Sequence, residues 1–131
     1  MEQNNNLTEN QIASIIVDCC YHIHIELGPG LLESVYEEVL FHELTSKNLT
    51  VEKQKPLPVI WKNLKLNLGF RTDLIVNNKV IVEIKSLEEI HPVHPKQVLT
   101  YLRLTGLKLG HLINFNSPLI KSGITRIVNN L

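Results

Sequence analysis

The chain has 131 residues, 44% of them hydrophobic and 20% charged, with a formal net charge of +0. This mix excludes general disorder and points to one globular domain with a single core, and the even balance excludes an overall basic nucleic-acid coat. The balance hides a segregation, because residues 1–46 carry eight acids and no Lys or Arg, whereas residues 47–131 carry all thirteen Lys and Arg against five acids; that pattern suits either a polyanion partner or an acidic helical segment packed on a more basic sheet.

Residues 1–7 read as a polar, flexible lead-in to a domain spanning 1–131. Thr8 with Gln11 three residues on has the form of a capping box that opens a helix. Ile12, Ile15, Ile16, Cys19 and Ile23 then recur at helical spacing until Gly28-Pro29-Gly30 stops the run. A second helix is expected from about Leu31 to Lys47, with Leu32, Val35, Tyr36, Val39, Leu40 and Leu44 as its apolar stripe. The adjacent cysteines Cys19 and Cys20 cannot make a disulfide framework. The start lacks the charged and apolar regions of a secretory signal, and no apolar run reaches the ~18 residues of a membrane span. The expectation is a soluble, cytoplasmic chain in a reducing compartment, with no membrane partner.

After Asn48 the texture changes to strands. Val51–Lys55, Val59–Trp61 and Leu64–Phe70 read as three short ones, with Pro56 and Pro58 marking an edge or a break. Asp73–Val76 and Val80–Lys85 are stronger, joined at Asn77-Asn78. Pro95 belongs in the first turn of a third helix that runs to about Leu104 and ends at Gly106. Leu109–Phe115 is a further strand and Ile124–Val128 a last short one. This order predicts an α/β or α+β arrangement with a mixed sheet.

Chemistry concentrates in Val80-Ile81-Val82-Glu83-Ile84-Lys85. Ionised side chains inside an apolar strand are costly unless paired, hydrogen-bonded or bound to a metal. Strand alternation puts Glu83 and Lys85 on one face, and Asp73 opens the preceding strand. Two acidic oxygens converging beside a lysine make a hard-cation site that can polarise a phosphoryl group, with Lys85 stabilising developing charge. The plainer alternative is an internal salt bridge at the sheet edge. A two-residue hairpin at Asn77-Asn78 would turn Asp73 away from Glu83. A three-residue connection, Asn77 to Lys79, pairs Asp73 with Glu83 and also gathers Leu74, Val76, Val80, Val82 and Ile84 on the other face, so that register is expected.

Gln97 and Tyr101 stand four apart on the third helix, and Glu33 and Tyr36 three apart on the second. Gly30-Leu31-Leu32-Glu33-Ser34-Val35-Tyr36 is a G-x-x-E-x-x-Y pattern. Together with Asp73-Leu74-Ile75-Val76, Val82-Glu83-Ile84-Lys85 and the Gln97–Tyr101 helix, it makes the chain resemble the GxxExxY family of the PD-(D/E)XK nuclease superfamily, RecB-like branch, over about Ile15 to Val128. The resemblance implies a restriction-endonuclease-like α/β core, a mixed central sheet flanked by helices on both faces. It implies hydrolysis of phosphodiester bonds in DNA or RNA with Mg²⁺ or Mn²⁺. Asp73 and Glu83 would be the metal carboxylates, the backbone carbonyl of Ile84 a further ligand, and Glu33 an additional acid acting directly or through water. Lys85 would position water or stabilise charge, while Gln97 and Tyr101 would orient the site or contact a phosphate, with Tyr36 in support. Because the superfamily also contains repurposed members, the rival is an inactive module that binds nucleic acid or a protein partner; a homodimer is also open.

Three peripheral features complete the reading. His91 and His94 form an H-x-x-H pair with zinc-ligand residue types, but the adjoining prolines favour a loop and helix cap. His94 and Lys96 lie near enough to the third helix's start to reach a phosphate. Lys53, Lys55, Lys62 and Lys65 with Trp61 form either a nucleic-acid edge or a lysine-blunted strand edge that resists aggregation.

Overall fold

The structure, a computed structural model, describes residues 6–131. In chain order the elements are α1 (Glu9–Leu27), α2 (Glu33–Ser46), β1 (Val51–Trp61), β2 (Leu64–Val76), β3 (Val80–Lys85), α3 (Val93–Thr105), β4 (Leu109–Asn114), α4 (Ile120–Gly123) and β5 (Ile124–Val128). The five strands make one mixed sheet in the order β1-β2-β3-β4-β5. Neighbours pair antiparallel except β3 and β4, which run parallel and are joined by a crossover through α3.

Helix α1 opens on the expected capping box: Gln11 N donates to Thr8 Oγ1 (3.2 Å) and Thr8 N to Gln11 Oε1 (2.9 Å). Helix α2 begins two residues later than the pattern suggested. Leu32 is its extended N-cap, and Leu31 N is already committed to the Tyr36 hydroxyl (3.1 Å). Helix α3 ends at Gly106, whose left-handed φ of 74° lets its N–H reach Leu102 O. The one-turn α4, too short to carry a periodic signal, was not foreseen.

The stretch from Val51 to Val76 departs most from expectation. Instead of short pieces it forms two long strands, β1 and β2. Pro56 and Pro58 do not break β1, because β1 is an edge strand and needs hydrogen bonds on one side only. The register slips once, between Leu57 and Val59. Gly69 faces that slip, where an added Cβ would collide with Leu57 O.

Two apolar layers flank the sheet. On one face Ile12, Ile16 and Cys19 of α1 and Tyr36, Leu40 and Leu44 of α2 pack on Leu74, Val76, Val80, Val82 and Ile84. Leu7, which the sequence placed in the lead-in, packs here too, and its carbonyl accepts from Lys79 Nζ (2.6 Å). On the other face Tyr101 and Leu102 of α3 cover Leu57, Ile75 and Ile81. Period-two alternation in β2 and β3 produces this sorting, and each fully buried Leu or Ile contributes roughly 1.5–3 kcal/mol relative to exposure. Among the described residues no helix is long and apolar enough to cross a membrane.

Candidate active site

The β2–β3 connection has the three-residue length that the apolar pattern requires. Val76 pairs with Val80 and Leu74 with Val82, while Asn77 and Asn78 take left-handed φ values of 51° and 52°. The ladder ends at Leu74–Val82, and side chains take over there. Asp73 N donates to Glu83 Oε1 (3.1 Å), and Ile84 N donates to Asp73 Oδ2 (2.8 Å). Lys85 O is used on the β4 side by Phe115 N (2.9 Å). Strand alternation therefore turns the Ile84 carbonyl toward β2, the side on which Asp73 lies.

Glu83 is only 7% exposed. Burial, and then the charge of Asp73, push its carboxyl up to about 8; the Asp73 amide and the Lys85 ammonium oppose the shift. Tyr101 approaches from α3, and its hydroxyl is pushed up by burial and by the charges of Glu83 and Asp73. Its ring also meets Phe70 of β2 at a centroid distance of 5.0 Å.

The entry to α2 brings in a third acid. Gly28 and Gly30 have φ of 66° and 98°, a region costly for any side chain. Tyr36 ties this loop down: its hydroxyl donates to Gly28 O (2.6 Å), and its ring stacks on Phe115 at 4.5 Å. Ser86, directly after β3, staples the same loop to the strand. Ser86 Oγ donates to Leu31 O (2.6 Å), and Ser86 N donates to Glu33 Oε1 (3.4 Å). Glu33, Ser34, Glu37, Gln54, Asp73 and Ile84 then line a cavity of about 260 Å³.

Two of these residues escaped the sequence reading. Gln54 Nε2 donates to Glu37 Oε1 (2.6 Å) and to Asp73 Oδ1 (3.2 Å), from a backbone with φ of 51°. Burial, and after it the Asp73 charge, hold the Glu37 carboxyl above its ordinary range against the Gln54 bond. The signal for Glu37 was its position four residues after Glu33, on the same helix face. Gln54 gave none, since its place depends on the path of β1.

The remaining candidates divide. His94 sits in the fields of Lys85 and Glu33, and burial followed by Lys85 holds its imidazole below the usual range. His91 and His94 order the turn that enters α3, whose N-cap is Pro92: Val93 N donates to His91 Nδ1 (3.1 Å) and His91 N to His94 Nδ1 (3.2 Å). Gln97 and Lys96 are exposed on α3, Gln97 one turn before Tyr101. Lys53 and Lys55 are engaged with Glu38 (2.9 Å) and Glu52 (3.1 Å), whereas Lys62 and Lys65 have no acidic partner among the described residues.

The donor set suits a hard cation. It offers two carboxyl groups, that of Glu83 buried, and a backbone carbonyl, all oxygen ligands. Among the described residues no three His, Cys, Asp or Glu side chains converge closely enough to hold a metal by themselves. Mg²⁺ commonly takes one or two carboxylates and completes its shell with waters and substrate phosphates, so the fit holds.

A family model described as the PD-(D/E)XK nuclease superfamily matches residues 10–127. No curated protein and no solved structure matches the chain.

Proposed function

The chain belongs to the PD-(D/E)XK nuclease superfamily, and from that premise we propose that it hydrolyses phosphodiester bonds of DNA or RNA at the Asp73–Glu83 pair with Mg²⁺ or Mn²⁺. The observation that carries the proposal is geometric: Glu83, 7% exposed, accepts from the Asp73 amide while Asp73 Oδ2 accepts from Ile84 N, which brings two acids and the Ile84 backbone together at the end of the β2–β3 ladder. The Gly30-to-Tyr36 spacing, with Tyr36 tying the α2 entry, supports placing the chain in the GxxExxY family. The buried, unpaired cysteines suit a reducing compartment such as the cytoplasm.

Asp73, Glu83 and the Ile84 carbonyl would hold the ion, with Glu33 reaching it directly or through water. A divalent cation bound there supplies Lewis-acid polarisation and a bound water of lowered pKa. The chain's own groups do the rest. Lys85 places positive charge where the attacked phosphate gains negative charge. Tyr101 and Gln97 orient the substrate from α3, and Gln54 and Ile84 N keep the Asp73 carboxylate in one rotamer.

The test is the purified chain against single- and double-stranded DNA and RNA, with Mg²⁺, Mn²⁺ or EDTA, and with Glu83→Gln as control. Metal-dependent cleavage lost in Glu83→Gln supports the proposal. Cleavage that survives in the variant indicates a contaminant. Mn²⁺ bound without turnover on any substrate assigns the chain to the repurposed binding modules.

A further inference from the structure

β2 pairs with β3 only from Leu74 to Val76, although β2 begins at Leu64. The remainder, with β1 up to Trp61, is therefore a two-stranded arm that leaves the sheet at Asp73, the first carboxylate of the site. Its root is anchored: Leu57 is buried against Ile75, Ile81 and Tyr101, and Phe70 contacts the Tyr101 ring. Its tip is not. Ile60, Trp61 and Leu64 are 65%, 64% and 57% exposed around the Lys62-Asn63 turn.

The charge of the arm is one-sided. From Lys53 to Thr72 there is no Asp or Glu. Lys53 and Lys55 at the root are engaged with acids, but Lys62, Lys65 and Arg71 have no acidic partner within ion-pair reach among the described residues. Lys62 lies over the Trp61 ring, at 5.7 Å. Exposed aromatic and apolar surface interleaved with unopposed cations matches bases and phosphates, respectively.

We infer that the β1–β2 arm is a substrate-guiding element that takes unpaired nucleic acid, stacking a base on Trp61 and holding phosphates with Lys62 and Lys65. The inference rests on the nuclease reading and narrows it to substrates with a single-stranded segment, because a base paired within a duplex has its faces covered already. From Leu64 to Asp73 the arm measures at most roughly 30 Å at ~3.3 Å per residue.

Trp61 is the chain's single tryptophan, so intrinsic fluorescence reports the tip directly. The full chain is titrated in EDTA with a single-stranded thymidine 15-mer and with a 15-base-pair duplex. Quenching by the single strand at concentrations at least tenfold below those needed for the duplex is expected. Anisotropy of a labelled 15-mer should show roughly tenfold weaker binding for Trp61→Ala. The double variant Lys62→Gln/Lys65→Gln should flatten the log–log salt dependence by about 1.4. Binding by anisotropy with unmoved Trp61 fluorescence overturns the inference, as does equal preference for duplex. Burial of Trp61 by self-association, seen in sedimentation without nucleic acid, also overturns it. Cleavage is not part of this readout: binding without turnover in Mg²⁺ removes the nuclease reading and leaves the arm, whereas turnover with silent fluorescence does the reverse.

Discussion

Tyr36 reaches back eight residues to Gly28, donating its hydroxyl to that carbonyl at 2.6 Å while accepting from Leu31 N at 3.1 Å. The tyrosine is thus a strut that holds the start of α2, and with it Glu33, against the end of β3. The hydroxyl brackets Gly30, whose φ of 98° turns the chain between Gly28 and Leu31 into the helix that carries Glu33.

Tyr36→Phe keeps the stack on Phe115 and removes only the hydroxyl. Two backbone groups then lose their partner, at a cost of roughly 1–3 kcal/mol. Thermal unfolding should show the drop. Cleavage should fall too, because Glu33 loses its fixed position. Full activity in a chain destabilised to that extent would mean that Glu33 does not need its strut.

The apolar alternation of Leu74 to Val76 and Val80 to Ile84 was strong enough to dictate both the sheet faces and the three-residue turn, and with them the meeting of Asp73 and Glu83. Helices α1 to α3 were equally legible from their periodicity and stop signals. The stretch from Val51 to Phe70 was not, since its two prolines read as breaks whereas an edge strand tolerates them. Gln54 was invisible for a related reason: its contact with Glu37 and Asp73 depends on how β1 bends, which no local pattern encodes. Lys53 and Lys55 resembled a nucleic-acid edge until the fold set acids beside them.

Thr72 lies beside Asp73 at the root of the arm, fully buried, and its hydroxyl has no hydrogen-bond partner among the described residues. Thr72→Val replaces that hydroxyl with a methyl group of similar size. Removing an unsatisfied buried polar atom should raise stability by about 1 kcal/mol. Urea unfolding measures it. A loss of stability would reveal that the hydroxyl has a water or ligand partner.

Two buried groups give the metal-free chain opposite pH trends. Glu83 keeps its proton to about pH 8 in the fold, against 4.5 unfolded, so its contribution is lost as pH rises through that window. His111 is pushed down to about 4 by burial and then by Arg126, against 6.5 unfolded, so the fold weakens as pH falls through 6.5. Between about 4.5 and 6.5 the two trends offset, with Glu37 raised in the same direction as Glu83 and His94 lowered in the same direction as His111; above 6.5 the decline set by Glu83 dominates. Melting temperature in EDTA should therefore be flat across the lower range and decline toward pH 8. Glu83→Gln should remove the decline and Mg²⁺ should reduce it, whereas His111→Gln should extend the decline down to pH 4.5. A decline unchanged in Glu83→Gln would assign it to another group.

Lys85 separates binding of the ion from use of it. Its ammonium lies close enough to Glu83 to lower that carboxyl, yet it makes no ion pair within 4 Å among the described residues. Its charge is therefore available to a substrate rather than committed to the fold. Lys85→Ala should leave a Mn²⁺ signal by electron paramagnetic resonance near that of the wild type, because Asp73, Glu83 and the Ile84 carbonyl all remain. Turnover should fall by roughly 10²–10³, the scale of losing one transition-state donor. Gln97→Ala, which removes an exposed side chain one turn from Tyr101, should lower turnover by less than tenfold. If Lys85→Ala loses Mn²⁺ and turnover together, the lysine is holding the carboxylates in place; if it loses neither, the charge developing at the reacting phosphate is stabilised by another group.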